Sequence, residues 1–191
     1  MIFNPTKIKS VWIVEMDRRA DHRGFFARSF CEAEFRDHGL DAQIAQINVG
    51  YTLKKGCIRG LHYQLAPHEE IKIVRCTRGA IFDVALDLRI DSPTFKQWVG
   101  CELTADNRRM LVVPEGCAHG YQTLEDDTEV EYLTTAVYAP NAARGVRYDD
   151  PTFGIEWPVS TGATSEADRS WPDFRECMVE VLVAWSGNGN R

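Results

Sequence analysis

Three short segments in the middle of the chain decide the fold class: residues 57–64 read CIRGLHYQ, residues 71–77 read IKIVRCT and residues 80–88 read AIFDVALDL. Each is apolar, rich in β-branched or aromatic residues and bounded by turn residues, which is typical of β-strands. Similar segments recur about every ten residues, at 11–16, 43–49, 97–103, 110–113, 118–124 and 128–138. The sequence therefore predicts a mainly β sandwich or barrel.

Little helix and one domain are expected around these strands. A short helix is predicted over 30–38 with Ser29 as its N-cap, and a second helix is predicted to begin near Ser165. At 191 residues the chain is too short for two ordinary domains of about 150 residues. We expect a single domain over 1–185, followed by a flexible tail over 186–191, which reads SGNGNR.

The composition limits the kinds of molecule that the protein is expected to bind. Lys and Arg number 22 against 28 Asp and Glu, giving a net charge of −6, so no general basic surface exists to bind nucleic acid or an anionic membrane. No apolar run approaches the roughly 18 residues of a membrane span, and no signal-peptide pattern is present, so we expect a cytoplasmic protein. The six cysteines contain no C-x-x-C pair and are expected to be reduced.

Period-two alternation predicts which side chains share a face. Lys72 lies on the same side of its strand as Val74 and Cys76, and so is expected to face the barrel interior. Tyr132 and Tyr138 share one side of the segment 128–138. A lysine and two phenols are thus expected near one pocket.

The segment 43–49 has a polar side and an apolar side. Gln46 and Asn48 point one way, where a polar ligand could bind, whereas Ile47 and Val49 point the other way and are expected to pack.

Two motifs resemble the halves of the cupin double-stranded β-helix: His62-Tyr63-Gln64, and residues 114–119, which read PEGCAH. The first half supplies one histidine where a metal would need two, so no metal is expected. A site made of His62, His119 and a carboxylate such as Glu70 remains an alternative, as do two unrelated histidines at turns.

The remaining polar residues suit proton abstraction beside a carbonyl. Such chemistry needs a base, a cation for the enolate oxygen and an opposed acid, and His, Lys and Tyr can fill these roles. A bulge at Gly60 would bring Arg59 and His62 to the same side. Each residue also has a structural alternative: Lys72 could extend to solvent, tyrosines could be core rings, and Asp168 could close a helix cap.

The order of these motifs resembles the dTDP-4-dehydrorhamnose 3,5-epimerase family. The resemblance spans about residues 10 to 175, and it rests on blocks that read RGFF (23–26), RGLHYQ (59–64), KIVR (72–75), FDVALDLR (82–89), SPTF (92–95), PEGCAHG (114–120), DDP (149–151), GIEWP (154–158) and SEADR (165–169).

The resemblance implies a cofactor-independent cupin barrel, a homodimer, that inverts C3, C5 or both in a nucleotide-linked 4-keto-6-deoxyhexose of dTDP-rhamnose biosynthesis. It implies His62 as base, Asp168 as its partner, Lys72 as enolate stabiliser and Tyr132 as acid. Further residues fall where the family binds diphosphate and sugar, namely Arg23, Gln46, Asn48, Arg59 and His119, and Tyr138 falls at the nucleotide end.

Three positions depart from the family pattern: Arg28, Ala143 and Ala167 replace a glutamate, a glutamate and a lysine at nucleotide-side contacts. An altered nucleotide preference is therefore expected. The alternatives are a mono-epimerase or ketoisomerase acting on a dTDP- or CDP-sugar, a metal-dependent cupin, or a module that binds a sugar nucleotide without turnover.

Overall fold

The computed structural model describes residues 1–174, which are mainly β-strands. The strands are β1 (Ile2–Pro5), β2 (Trp12–Glu15), β3 (Arg19–Asp21), β4 (Gly24–Phe26), β5 (Gln46–Thr52), β6 (Ile58–Gln64), β7 (Lys72–Arg78), β8 (Ala80–Asp87), β9 (Trp98–Thr104), β10 (Met110–Val113), β11 (Cys117–Thr123), β12 (Thr128–Thr134) and β13 (Ala143–Gly145). The helices are α1 (Glu32–Asp37) and α2 (Glu166–Ser170). The mainly β class with short helices is therefore confirmed.

Two antiparallel sheets form the barrel. One has six strands in the order β1-β2-β10-β7-β12-β5, and the other has five in the order β13-β6-β11-β8-β9. Strands β3 and β4 form a separate hairpin. The predicted tail 186–191 lies outside the described residues, and the single domain over 1–185 stays a prediction.

None of the helices described in residues 1–174 is both long enough and apolar enough to cross a lipid bilayer.

The main core lies between the two sheets. Val74 and Cys76 of β7 belong to an apolar cluster with side chains of β8, β9, β10, β11 and β12. Ile73 points to the other face of the sheet, where it packs in a second cluster with Phe35 of α1. Lys72 therefore faces the interior, as alternation predicts.

Both helices occupy the predicted places. At α2, the Ser165 hydroxyl accepts a hydrogen bond from the Asp168 amide at 3.0 Å, so this cap is confirmed. At α1, the N-cap is Cys31 and makes no side-chain capping bond. Ser29 as N-cap is therefore wrong: the helix begins two residues later.

The predicted strand 128–138 is too long. Thr134 pairs with Gln46 of β5 on one side and with Lys72 of β7 on the other. These are the first residues of the two partner strands. The Thr135 amide still donates to the Ile71 carbonyl oxygen at 3.2 Å, but the regular pairing, and with it the strand, stops at Thr134. Tyr138 lies outside the strand with an exposed side chain, so its predicted place beside Tyr132 on one strand face is wrong.

Strand β5 has the predicted polar and apolar sides, but the apolar side does not pack. Ile47 is 62% exposed and Val49 is 61% exposed. Strand β5 is an edge strand of its sheet, and within residues 1–174 no second layer covers that side. The packing prediction is therefore wrong for the single chain.

Candidate active site

A cavity of about 600 Å³ opens between the two sheets. Strands β5, β7 and β12 of one sheet and β6 and β11 of the other supply its walls, and the segment before and within α2 borders it. The lining residues are Gly50, Thr52, Cys57, Ile58, Arg59, His62, Lys72, His119, Tyr121, Tyr132, Ala163, Thr164, Ser165, Ala167 and Asp168. All four predicted catalytic residues are among them.

His62 and Asp168 form a dyad at the mouth of this cavity. The Nε2 atom of His62 lies 2.6 Å from Asp168 Oδ1. The aspartate is held in place because Ser165 caps α2, and the nearby Thr164 bridges to Ile58 of β6. Burial raises the pKa of Asp168, but the hydrogen bond and charge of His62 outweigh it and leave that pKa below the ordinary value. The aspartate is therefore ionised and orients the ring.

A second His–Asp pair lies beside the first. His119 pairs with His62 across the β6–β11 ladder, and its Nε2 lies 2.7 Å from Asp83 Oδ1. The side chain of Asp83 is fully buried, and its Oδ2 has no hydrogen-bond partner among residues 1–174. Burial raises the pKa of Asp83. Sequence analysis missed this residue, although an aspartate inside an apolar strand such as 80–88 is a recognisable signal.

Lys72 and Tyr132 line the cavity from neighbouring strands. The Lys72 ammonium donates to the carbonyl oxygen of His62 at 3.1 Å and lies 3.1 Å from Glu70 Oε1. Burial, and then the charge of Glu70, raise the pKa of Tyr132 above its ordinary value. The phenol therefore keeps its proton at neutral pH and can act as an acid.

Arg59 reaches the same cavity because β6 is irregular at Gly60. Gly60 has φ of +112°, and a Cβ there would lie 2.6 Å from the Gly120 Cα. The register shifts at this point of the β6–β11 ladder, so the predicted bulge is confirmed and Arg59 shares the cavity with His62. The Arg59 Nε donates to Thr52 Oγ1 at 3.0 Å.

Four predicted substrate-binding residues do not line the cavity of the single chain: Arg23, Gln46, Asn48 and Tyr138. Arg23 is exposed beside β4 and forms an ion pair with Asp21 at 2.6 Å. Gln46 accepts a hydrogen bond from the Tyr138 amide at 2.7 Å. Substrate contacts of these four residues stay predictions.

The three departures from the family pattern separate in space. Ala167 lines the cavity. Arg28 forms an ion pair with Glu34 at 2.6 Å, away from the cavity, and Ala143 pairs with Gln64 in β13. In the single chain, only the change at Ala167 alters the cavity wall.

The donor set gives a metal little to bind. Each of His62 and His119 has its own aspartate, and Glu70 binds Lys72 instead of completing a histidine site. Within residues 1–174 no three His, Cys, Asp or Glu side chains are grouped as metal ligands.

A His–Asp dyad, an ammonium and a phenol around one cavity of a cupin-type barrel define the class of protein, an isomerase that moves protons at carbon. The family model described as dTDP-4-dehydrorhamnose 3,5-epimerase matches residues 5–176. The chain belongs to that family.

Individual relatives agree with this assignment. The chain is 43% identical to a dTDP-4-dehydrorhamnose 3,5-epimerase of Sinorhizobium fredii, covering 94% of this chain and 92% of the relative. It is 35% identical to a dTDP-4-dehydrorhamnose 3-epimerase of Streptomyces niveus, over 88% and 82%. A Legionella pneumophila 3,5-epimerase solved in complex with dTDP-4-keto-L-rhamnose superposes with a TM-score of 0.87 at 34% identity, over 94% and 96%.

Proposed function

We propose that the chain inverts C3, C5 or both in a dTDP-linked 4-keto-6-deoxyhexose. A C4 ketone acidifies the protons on both neighbouring carbons, so one base and one opposed acid can invert either centre. The observation that carries the proposal is the 2.6 Å contact between His62 and Asp168, which faces the same cavity as Lys72 and Tyr132.

The reaction has two proton transfers. Because His62 Nε2 is held by Asp168, Nδ1 is the nitrogen that takes the proton from carbon. The C–H electron pair becomes a C=C bond to C4, and the carbonyl electrons move to oxygen as an enolate, which the Lys72 ammonium stabilises. Tyr132 then donates its proton to the opposite face, and the ketone reforms with that carbon inverted.

Both groups must be reset after each inversion, since His62 gains a proton and Tyr132 loses one. The His62 side chain is 48% exposed, so water can remove its proton. The aspartate behind it stabilises the imidazolium meanwhile.

Isotope exchange tests the proposal. Incubation with dTDP-4-keto-6-deoxyglucose in deuterium oxide should place deuterium at C3, C5 or both. Label at both centres identifies a 3,5-epimerase, and label at one centre identifies a mono-epimerase. Absence of exchange with dTDP-, UDP- and CDP-linked 4-keto sugars would contradict the proposal and favour the binding-module alternative.

Arg59 is proposed to bind the diphosphate, because its guanidinium lines the cavity and a hydrogen bond to Thr52 fixes its direction. Arg59→Leu should weaken transition-state and substrate binding by about 1.5 to 3 kcal/mol, raising KM roughly 10- to 100-fold. Steady-state kinetics checks this, and an unchanged KM would place the phosphates elsewhere.

A homodimer is proposed because the apolar side of β5 is uncovered in one chain. Ile47, Val49 and Tyr51 are exposed there, and burial against a second copy would remove this surface from water. A dimer would also allow Arg23, which does not line the cavity of its own chain, to contribute to the cavity of the partner subunit. Sedimentation equilibrium should give twice the chain mass, and Val49→Asp should give monomers.

The nucleotide preference is proposed to be broader than dTDP alone, because Ala167 removes a cation from the cavity wall. Calorimetric titration with dTDP, UDP, CDP and GDP measures this preference, and a strict dTDP preference would contradict the proposal.

Activity should survive EDTA; activity that is lost and then returns with iron or zinc would favour the metal-dependent alternative. The cytoplasmic location stays a prediction from composition.

A further inference from the structure

The lysine of the proposed mechanism has a carboxylate partner that neither the motifs nor the resemblance assigns. Lys72 Nζ lies 3.1 Å from Glu70 Oε1, and the two side chains are only 12% and 10% exposed. Behind the pair, the space bounded by Tyr63, Val113 and neighbouring residues is about 10 Å³, at the lower limit for one water molecule. Solvent screens this ion pair weakly, so its attraction is stronger than that of a surface pair.

The carboxylate of Glu70 is itself held in a fixed direction. Gln64 Nε2 donates to Glu70 Oε2 at 3.2 Å and to the His68 carbonyl oxygen at 2.9 Å. Gln64 Oε1 accepts from the Ala139 amide at 2.6 Å. One carboxylate oxygen is thus anchored to the barrel while the other faces Lys72.

The direction of the Lys72 ammonium follows from this arrangement. Its two observed partners are Glu70 Oε1 and the carbonyl oxygen of His62, the residue that removes the proton. An ammonium held between these two oxygens keeps a fixed position relative to the base. Fixing a flexible four-carbon side chain costs conformational entropy, and these two contacts offset that cost.

The charge environment of Lys72 is mixed. The charged or titratable groups around it on the cavity wall are Arg59, His62, His119, Tyr132 and Asp168. Asp83 lies behind His119. Asp168 and Asp83 are each paired with a histidine. Glu70 instead contacts the ammonium directly.

We propose that Glu70 is a positioning residue for the epimerase reaction, holding the ammonium of Lys72 aimed at the site of the enolate oxygen. This inference rests on the proposed function for its kinetic consequence. The ion pair itself is a property of the protein without substrate.

The test compares Glu70→Gln with Glu102→Gln, a control that removes the same charge from an exposed position of β9 outside the cavity. NMR relaxation of labelled lysine side chains, without substrate, measures the mobility of the Lys72 ammonium. The ammonium should become more mobile in Glu70→Gln, because the contact that fixes it is lost. Its mobility should not change in Glu102→Gln. Equal mobility in both variants would overturn the proposal.

Kinetics supplies the second measurement. In Glu70→Gln, kcat should fall about tenfold or more with KM little changed, and the alkaline limb of the kcat profile should move to lower pH. The limb should move because, besides burial, the charge of Glu70 contributes to the raised pKa of Tyr132, and the lysine mobility reports the position of the ammonium separately. Glu70→Asp should restore the position of the alkaline limb while kcat stays reduced, because the charge returns but the shorter side chain aims it differently.

The outcomes separate this inference from the proposed function. If no 4-keto sugar is turned over but the Lys72 ammonium becomes more mobile in Glu70→Gln, the proposed function fails and the ion pair stands. If turnover is normal and the mobility of the ammonium is unchanged, the role of Glu70 fails alone. Should Glu70→Gln not fold, Glu70→Asp decides: wild-type kcat in that variant would overturn the positioning role.

Discussion

Two His–Asp pairs stand opposite each other on neighbouring strands, and they differ in exposure. The side chains of His62 and Asp168 are 48% and 6% exposed, whereas those of His119 and Asp83 are 10% and 0% exposed. Both pairs have Nε2 to oxygen distances of 2.6 to 2.7 Å. The same chemical pair therefore occurs once at the cavity mouth and once in the wall.

The difference has consequences for what each pair can do. A half-exposed imidazole can pass a proton to water after each turnover, which a base requires. A buried imidazole held by a buried carboxylate keeps its position, which suits a fixed hydrogen-bonding group for the substrate. The structures of the two pairs thus support His62 as base and His119 as a binding residue.

The largest effect is expected from changing the aspartate of the exposed pair. Asp168→Asn keeps the shape but presents an amide to His62 Nε2, so the ring is no longer held as the tautomer that leaves Nδ1 free to accept. We expect kcat to fall about 10³- to 10⁴-fold, by analogy with the loss of the aspartate in other oriented bases. Steady-state kinetics measures this. A loss of less than tenfold would show that His62 needs no orientation.

A smaller effect, and on stability instead of chemistry, is expected from the buried pair. Asp83→Ala leaves the buried His119 imidazole without its hydrogen-bond partner, which should cost about 1 to 3 kcal/mol of the free energy of unfolding. Urea denaturation checks this, with Asp126→Ala at an exposed ion pair as control, for which a loss of about 1 kcal/mol or less is expected. Equal losses in the two variants would contradict the contrast in burial.

The smallest effect concerns the pH dependence of stability. The pKa of Asp168 is below its ordinary value in the folded protein, so its contribution is present above the unfolded pKa of about 3.9 and is lost as pH falls through the folded pKa. The contribution is roughly 1.4 kcal/mol for each unit between the two pKa values, less the screening at half-exposed His62. Urea midpoints from pH 6 to pH 3 should fall more steeply in wild type than in Asp168→Asn. Parallel curves would contradict the assignment.

Much of the fold follows from local pattern. Composition and turn spacing located the nine segments that become β2 and β5 to β12, because each is rich in β-branched or aromatic residues and lies between turn residues. Strands β1, β3, β4 and β13 have three or four residues and contain no such segment. Their structure depends on pairing with distant segments, as Ala143–Gly145 does with β6.

The site divides in the same way. Lys72 could be placed towards the interior because strand periodicity fixes side-chain direction, whereas His62 needed the bulge at Gly60 to face the same cavity as Arg59. The pairing of Asp83 with His119 depends on which strands are neighbours, and the contact of Glu70 with Lys72 depends on a short loop. Neither follows from a local period. Tyr138 was misplaced because the strand ends where its partners end, at Thr134.

One measurement tests the central claim directly, namely that the exposed histidine is the base and the buried one is not. Deuterium incorporation from solvent into dTDP-4-keto-6-deoxyglucose is followed in His62→Asn and His119→Asn. We expect exchange to fall about 10²- to 10⁴-fold in His62→Asn, which is the usual contribution of a general base. In His119→Asn, exchange should persist at a reduced rate. Exchange that continues unchanged in His62→Asn, or that is lost only in His119→Asn, would contradict the account.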